Sequence, residues 1–209
     1  QKFENFLKKD FLEGLTVTPV VKHYMVFSEI AEIAQNHSID MIVMGSHGTS
    51  GMSEIFVGSN TEKVVRYSEV PVLVVKEKPG DLNFDTVTFA CDFSDEMVAP
   101  YLKAKELFDH LTLMYVNVPG ASFKSSAEME AMASAFLDKA NGHTEGLVEV
   151  EYTSDYTIEA GILNGSKRME ADLIAVPTHG RKGLAHFFTG SISEDIANHA
   201  KMPVITFKI

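Results

Sequence analysis

The segment Asp40 to Lys76 aligns without a gap on Asp172 to Lys208, at a constant offset of 132 residues. DMIVMGSHGTSGMSEIFVGSNTEKVVRYSEVPVLVVK and DLIAVPTHGRKGLAHFFTGSISEDIANHAKMPVITFK share 12 of 37 positions, among them His47/His179, Gly48/Gly180, Gly58/Gly190, Ser59/Ser191 and Pro71/Pro203. Upstream the register continues, with Glu13, Gly14 and Leu15 facing Glu145, Gly146 and Leu147. Such a chain folds as two copies of one unit, so an architecture read for one copy has to serve for both. The expected division is a first domain over 1–78, a linker over 79–84 containing the Pro79-Gly80 turn, and a second domain over 85–209. So short a linker holds the copies against one another.

The second copy alternates strand and helix patterns. Strands are expected at Thr86–Ala90, Leu111–Val118, Val148–Tyr152, Leu173–Val176 and Val204–Lys208. Helices are expected at Glu96–Asp109, with Val98, Leu102, Leu107 and Phe108 at helical spacing, at Ala127–Lys139, at Ile158–Met169, weakened by Gly161 and Gly165, and near Ser191–His199. Five strand and helix alternations predict an α/β, doubly wound, parallel five-stranded sheet covered on both faces. Carried to the first copy, the offset puts the second helix at Phe3–Leu15, the third strand at Val17–His23, the third helix at Phe27–Gln35 and the fourth strand at Met41–Met44. No counterpart of the first two strands and first helix stands in this sequence, and equal copies would need about 47 residues before Gln1.

Between its last two strands the first copy carries Gly45-x-x-Gly48, nine residues, then Gly58-Ser59-Asn60 opening a helix. Glycine at a strand end lets backbone approach a ligand closely. A helix start with free N–H groups and a hydroxyl favours an anion without any basic residue. The spacing is neither a P-loop, since no lysine follows Gly58, nor a dinucleotide fingerprint. A turn and a helix cap remain the plain alternative.

Eighteen Lys and Arg against 29 Asp and Glu give a net charge of −11, which disfavours nucleic acid as a partner. Cys91 is the only cysteine, so an intrachain disulfide and a cysteine zinc site are excluded. Its expected place is a buried strand position. No apolar run in the sequence reaches bilayer-spanning length and no signal-peptide pattern opens it, so the expectation is a cytoplasmic protein without membrane contact.

The GSHGTSGMSEIFVGSNTEKV stretch and the closing strands Pro71-Val72-Leu73-Val74 and Pro203-Val204-Ile205-Thr206 resemble the universal stress protein family. Its nucleotide-binding members carry G-x-x-G, nine residues, then G-[ST]. The resemblance covers nearly the whole chain, as a tandem protein with an incomplete first domain. It implies an adenine nucleotide alpha-hydrolase-like fold in each copy and a stress-response protein that binds ATP, AMP or ADP, with no metal beyond Mg accompanying ATP. The implied nucleotide-binding positions in the first copy are Met44, Gly45, His47, Gly48, Gly58, Ser59, Asn60 and Thr61. In the second they are Asp92, as the adenine contact in Ala90-Cys91-Asp92-Phe93-Ser94, with Val116, Val176, Gly180, Gly190 and Ser191. The second copy departs from the pattern at Pro177-Thr178-His179-Gly180, where proline removes an N–H.

Other readings stay open. His47 and His179 pack the loop, contact phosphate or ligate a metal, and Asp92 caps a helix or holds a ligand. Met129 and Met132 read as core, and Glu128 and Glu130 as a solvated face. No catalytic constellation stands near the loop, so the expectation is a non-enzyme acting by regulated association. A nucleotide-free tandem scaffold and a weak ATPase, with slow hydrolysis or loop-serine phosphorylation, are the alternatives. Family members dimerise through their last strand. The resemblance therefore implies that Val72–Val75 pairs with Val204–Phe207 inside one chain, and that any homodimer of the whole chain uses another surface.

Overall fold

A computed structural model describes residues 6–20, 27–46, 59–75, 84–142, 148–178, 196–197 and 199–209. The first repeat contributes helix α1 (Phe27–Asn36), strand β1 (Ile42–Gly45), helix α2 (Ser59–Tyr67) and strand β2 (Val72–Val75). The second contributes β3 (Val87–Ala90), α3 (Val98–Leu107), β4 (Leu111–Asn117), α4 (Ser126–Asn141), β5 (Glu149–Ser154), α5 (Ile158–Arg168), β6 (Leu173–Thr178) and β7 (Val204–Lys208). The strands form one seven-stranded sheet in the order β1-β2-β7-β6-β3-β4-β5.

Within the second repeat all neighbours are parallel, and β3 lies between β4 and β6. Parallel strands buried on both faces read as continuous apolar runs. Every residue of β3 and β6 is buried accordingly. Alternation along the strands sends Phe89, Leu113, Tyr115, Ile205 and Phe207 to one face. There Phe89 meets Tyr101 of α3 edge-on at 6.0 Å, and Tyr101 meets Phe136 of α4 at 5.4 Å. The opposite face, with Met114 and Val116, is covered by α5, whose Gly161 and Gly165 lie against those two side chains. The glycines that weaken this helix in the sequence are what let it sit so close to the sheet.

The duplication is visible in the backbone. Ile42 N–H donates to Pro71 O at 2.9 Å, and Ile174 N–H to Pro203 O at 3.1 Å. The helix preceding each of these strands ends alike. Ile39 N–H donates to Ala34 O and Ala171 N–H to Ser166 O, both at 2.9 Å, and Ser38 and Glu170 turn the chain at φ 51° and 53°.

The repeats meet where β2 pairs antiparallel with β7, matching Val72 to Thr206, Leu73 to Ile205 and Val74 to Val204. Leu73 and Ile205 are the same position of the repeat, and the flanking pairs exchange equivalent positions across them. This is the isologous pattern of a twofold axis, here passing through the Leu73–Ile205 pair. Val72 and Val74 pack with Val64 and Val65 of α2 in a small cluster on one face, whereas Leu73 joins the large core of the second repeat. Because β2 and β7 run oppositely, the carboxyl ends of β1 and β2 point away from those of β6 and β7.

Several expectations are corrected. Of the helix expected over Phe3–Leu15, residues 3–5 lie outside the described residues, Phe6 is helical, and the rest breaks into turns with a 3-10 turn at Asp10–Leu12, where Phe11 and Leu15 are exposed. A short helix needs a surface on which to bury its apolar stripe, and among the described residues the Phe6 ring meets the Phe11 ring, at 5.9 Å, with both still largely exposed. Residues 17–20 of the expected third strand are irregular and exposed, with no ladder partner among the described residues; 21–23 lie outside these. In α3 the buried side is Pro100, Tyr101 and Ala104, while Leu102 is exposed. Glu128 is exposed yet belongs to a capping box: its carboxylate accepts from Ser125 N–H at 2.8 Å, and Ser125 Oγ accepts from Glu128 N–H at 3.3 Å.

Candidate functional site

In a doubly wound sheet the strand order reverses at one point, and the crevice beyond the carboxyl ends of the strands there is where ligands bind. In the second repeat that point is β3, between β4 and β6. Cys91 N–H extends the ladder by one bond to Met114 O at 2.9 Å, and the chain then turns away. The turn is enforced. Phe93 adopts φ 62°, rare for a bulky side chain, and stacks on Tyr115 at 5.4 Å and 7°. Asp92 Oδ1 accepts from Ser94 N–H at 2.9 Å, closing an Asx turn. Asp92 is therefore not the cap of the next helical turn, whose N-cap is Ser94. No described residue donates to its Oδ2, and Asp92 borders a cleft with Val116, Ile158 and Ile162.

Successive residues of a parallel strand direct their peptide groups to opposite neighbours. Met114 O bonds on the β3 side, so Val116 also faces that side, beyond the last ladder bond and beside Asp92. The cleft thus joins a carboxylate, a strand-end peptide and the apolar side of α5. Val176 is fully buried within β6 and does not line this cleft. Ile174 N–H bonds toward β7, which turns the nitrogen of Pro177 toward β3, past the last β3–β6 pair at Phe89 and Ala175. The donor that proline lacks is the one that would face the crevice.

In the first repeat the position of Pro177 is held by Gly45. Ile42 and Ser46 donate to β2, at 2.9 and 2.8 Å, so Gly45 N–H points away from β2, where no described strand pairs with it. Thr61, buried in the first turn of α2, donates its hydroxyl to Gly45 O at 3.0 Å and ties the helix start to the strand end. Met44 is half-buried beneath, and Asn60 is exposed. Ser59 begins α2, though its side chain lies outside the described residues, as do His47, Gly48, Gly58, His179, Gly180, Gly190 and Ser191. Thr61 was named in the sequence only as a nucleotide-binding position implied by resemblance; its grip on Gly45 has no sequence signal apart from a hydroxyl two residues after Ser59.

Cys91 also borders the cleft. Burial pushes its thiol far above the ordinary value of 9.0, outweighing the Phe93 N–H that bonds its sulfur at 3.3 Å. Since the thiolate is the reactive form, Cys91 should resist a disulfide reagent at pH 8 in the native protein and react at once in denaturant. Rapid labelling of the folded chain would contradict this. A raised thiol pKa means the folded state keeps its proton longer. This contribution is intact below about pH 9 and is lost as pH rises, at roughly 1.4 kcal/mol per unit.

Among the described residues no three His, Cys, Asp or Glu side chains converge as metal ligands, and no helix is long and apolar enough to cross a membrane.

The sequence model of the Universal stress protein family matches residues 3–76 and 83–208. Universal stress protein MJ0577 of Methanocaldococcus jannaschii is 42% identical over 77 residues, 37% of this chain and 48% of that protein. This chain thus spans about half the length of that relative. A crystal structure of a universal stress protein from Archaeoglobus fulgidus superposes with a TM-score of 0.62 at 27% identity, over 87% of this chain and 64% of that one. A Pseudomonas aeruginosa structure titled as a putative universal stress protein shares the fold, with a TM-score of 0.71 at 14% identity over 99% of this chain and 77% of that one.

Proposed function

The chain belongs to the universal stress protein family, and from that premise we propose that it binds an adenine nucleotide, ATP foremost, at its strand-end loops and acts by regulated association of its domains instead of by catalysis. The observation that carries this reading is the Asp92 crevice. A carboxylate with a free oxygen beside an unladdered strand peptide offers an acceptor to an exocyclic amino group and a peptide edge to a ring nitrogen, over the apolar floor made by α5. On this reading the phosphates lie toward the glycine loop, over the start of the following helix. In the first repeat Gly45 N–H, held in place by Thr61, serves them. Association is the expected output because both loops leave strands next to the β2–β7 seam: β1 adjoins β2, and β6 adjoins β7.

Mass spectrometry of the denatured full-length protein is expected to release an adenine nucleotide, and depleted protein is expected to rebind ATP saturably. Two substitutions in the second repeat should act with opposite signs. Asp92→Ala removes a charge-assisted hydrogen bond and should weaken binding there by about 10- to 100-fold. Pro177→Gly restores the donor facing the crevice and should strengthen it by about 3- to 10-fold. Absence of any nucleotide together with unsaturable titration would favour the scaffold reading, and steady phosphate release would favour the ATPase.

A further inference from the structure

Beside the Asp92 crevice, at the carboxyl ends of β4 and β5, lies a second cleft of about 410 Å³ bordered by Asn117, Pro119, Phe123, Ser154, Asp155 and Tyr156. Its two aromatic rings are exposed, Phe123 at 59% and Tyr156 at 87%. Both stand on backbone that the protein takes trouble to fix. Buried Asn117 donates from Nδ2 to Lys124 O at 2.8 Å and accepts from Lys124 N–H at 3.0 Å, clamping the loop from both sides. Within that loop Gly120, at φ 119°, accepts from Phe123 N–H at 3.2 Å. On the other wall Asp155 Oδ1 accepts from Tyr156 N–H at 2.7 Å and Oδ2 from Asn164 at 2.9 Å, while Thr157 caps α5 through Ala160 N–H. These bonds also hold the Asp155 carboxyl below its usual range, so it is ionised near neutral pH.

Large rings left in water on a rigid frame forgo burial that a partner could supply. The chemistry of the cleft specifies the partner. Among the described residues its one charged lining group is a carboxylate and no basic side chain lines it, and the chain carries a net charge of −11. A carboxylate flanked by aromatic rings suits a planar cation, which stacks on a ring and donates to the carboxylate together. We propose that this cleft receives the guanidinium of an arginine side chain on a partner protein. Lone pairs remain on both Asp155 oxygens to accept it, and complementary charge would steer the encounter. The proposal stands independently of nucleotide binding, because it uses neither Asp92 nor the glycine loops.

The test uses the full chain and two small probes, N-acetyl-arginine amide and its uncharged isostere N-acetyl-citrulline amide, followed by amide chemical shifts. The arginine probe should move the amides of Phe123, Asp155 and Tyr156 saturably, and the citrulline probe should bind at least about threefold more weakly. Asp155→Asn and Tyr156→Ala should each weaken arginine binding by about three- to fivefold, and Tyr156→Phe should retain it. A spectrum otherwise superimposable on the parent's shows that each variant is folded. Equal binding of both probes, or no saturable shift up to the solubility limit of the arginine probe, overturns the proposal. It is equally overturned if AMP moves these amides and the arginine probe does not.

Discussion

Replacing Leu73 by aspartate is expected to detach the first repeat from the second. Leu73 sits at the twofold position opposite Ile205, is 6% exposed, and is the buried residue of β2 that belongs to the large core of the second repeat, with Val75 packed at its margin. Losing its burial removes about 2 to 3 kcal/mol. The carboxylate must also stay neutral or leave, and raising its pKa by about three units costs roughly 4 kcal/mol more. The side-chain polar ties across the seam are weak, a 3.5 Å hydrogen bond from Thr206 to Val72 O and a partly exposed Lys208–Glu69 pair at 3.7 Å, which leaves the short β2–β7 ladder and the packing of Val75 and Met41 to hold against a buried carboxylate. Leu73→Asp should therefore unfold in two steps where the parent unfolds in one, and its radius of gyration in solution scattering should rise. Leu73→Met, which keeps volume, should cost less than about 1.5 kcal/mol. Because the folded pKa of the new aspartate is raised, the lost stability should partly return as pH falls through the folded value toward the ordinary carboxylate range of about 4. One cooperative transition at the parent midpoint would show that the seam does not hold the repeats together.

The fold was legible because the chain states it twice. Patterning placed all five strands of the second repeat, and the offset carried the last two onto the first. What patterning could not supply was context. The helix read at Phe3–Leu15 has apolar residues at workable spacing, but beyond Phe6 its described part leaves Phe11 and Leu15 exposed and turns through a 3-10 turn at Asp10–Leu12. Leu102 and Tyr101 are adjacent and both apolar, so spacing alone could not say which faces the sheet; Tyr101 does, because its ring reaches Phe89 and Phe136.

The site divides in the same way. Asp92 and Val116, named from resemblance, border one cleft, and the nitrogen of Pro177 faces β3 beyond the last β3–β6 pair. The φ of 62° at Phe93 left no mark in the sequence, since nothing in Ala90-Cys91-Asp92-Phe93-Ser94 suggests a left-handed phenylalanine. Ser125-x-x-Glu128 did leave one, a capping-box spacing passed over as surface charge. The glycines of α5 were noticed and misjudged: read as weak points of a helix, they are contact points of its packing.

That reversal sets up a contrast between two alanine substitutions on α5. By propensity alone, glycine to alanine within a helix gains about 1 kcal/mol at either position. At Gly161 the new methyl would overlap Val116 Cγ1 outright and lie 3.0 Å from Cγ2 and 3.2 Å from Cβ. A β-branched valine in a strand has one preferred rotamer and cannot swing aside, so the helix must lift. At Gly165 the methyl meets Met114 Cε at 2.9 Å and Sδ at 3.0 Å, the far end of a side chain with three rotatable bonds that can move away. Gly161→Ala should therefore destabilise by about 1 to 3 kcal/mol in denaturant titration, and Gly165→Ala should be near neutral. Because Val116 also borders the Asp92 crevice, Gly161→Ala should weaken nucleotide binding as well. Pairing it with Val116→Ala provides the internal check: the double variant should be more stable than the sum of the single costs by at least about 1 kcal/mol, since the smaller side chain makes room for the new methyl. Strict additivity would mean that α5 does not depend on this contact, and equal costs at Gly161 and Gly165 would mean that the close approach over Val116 does not set the helix position.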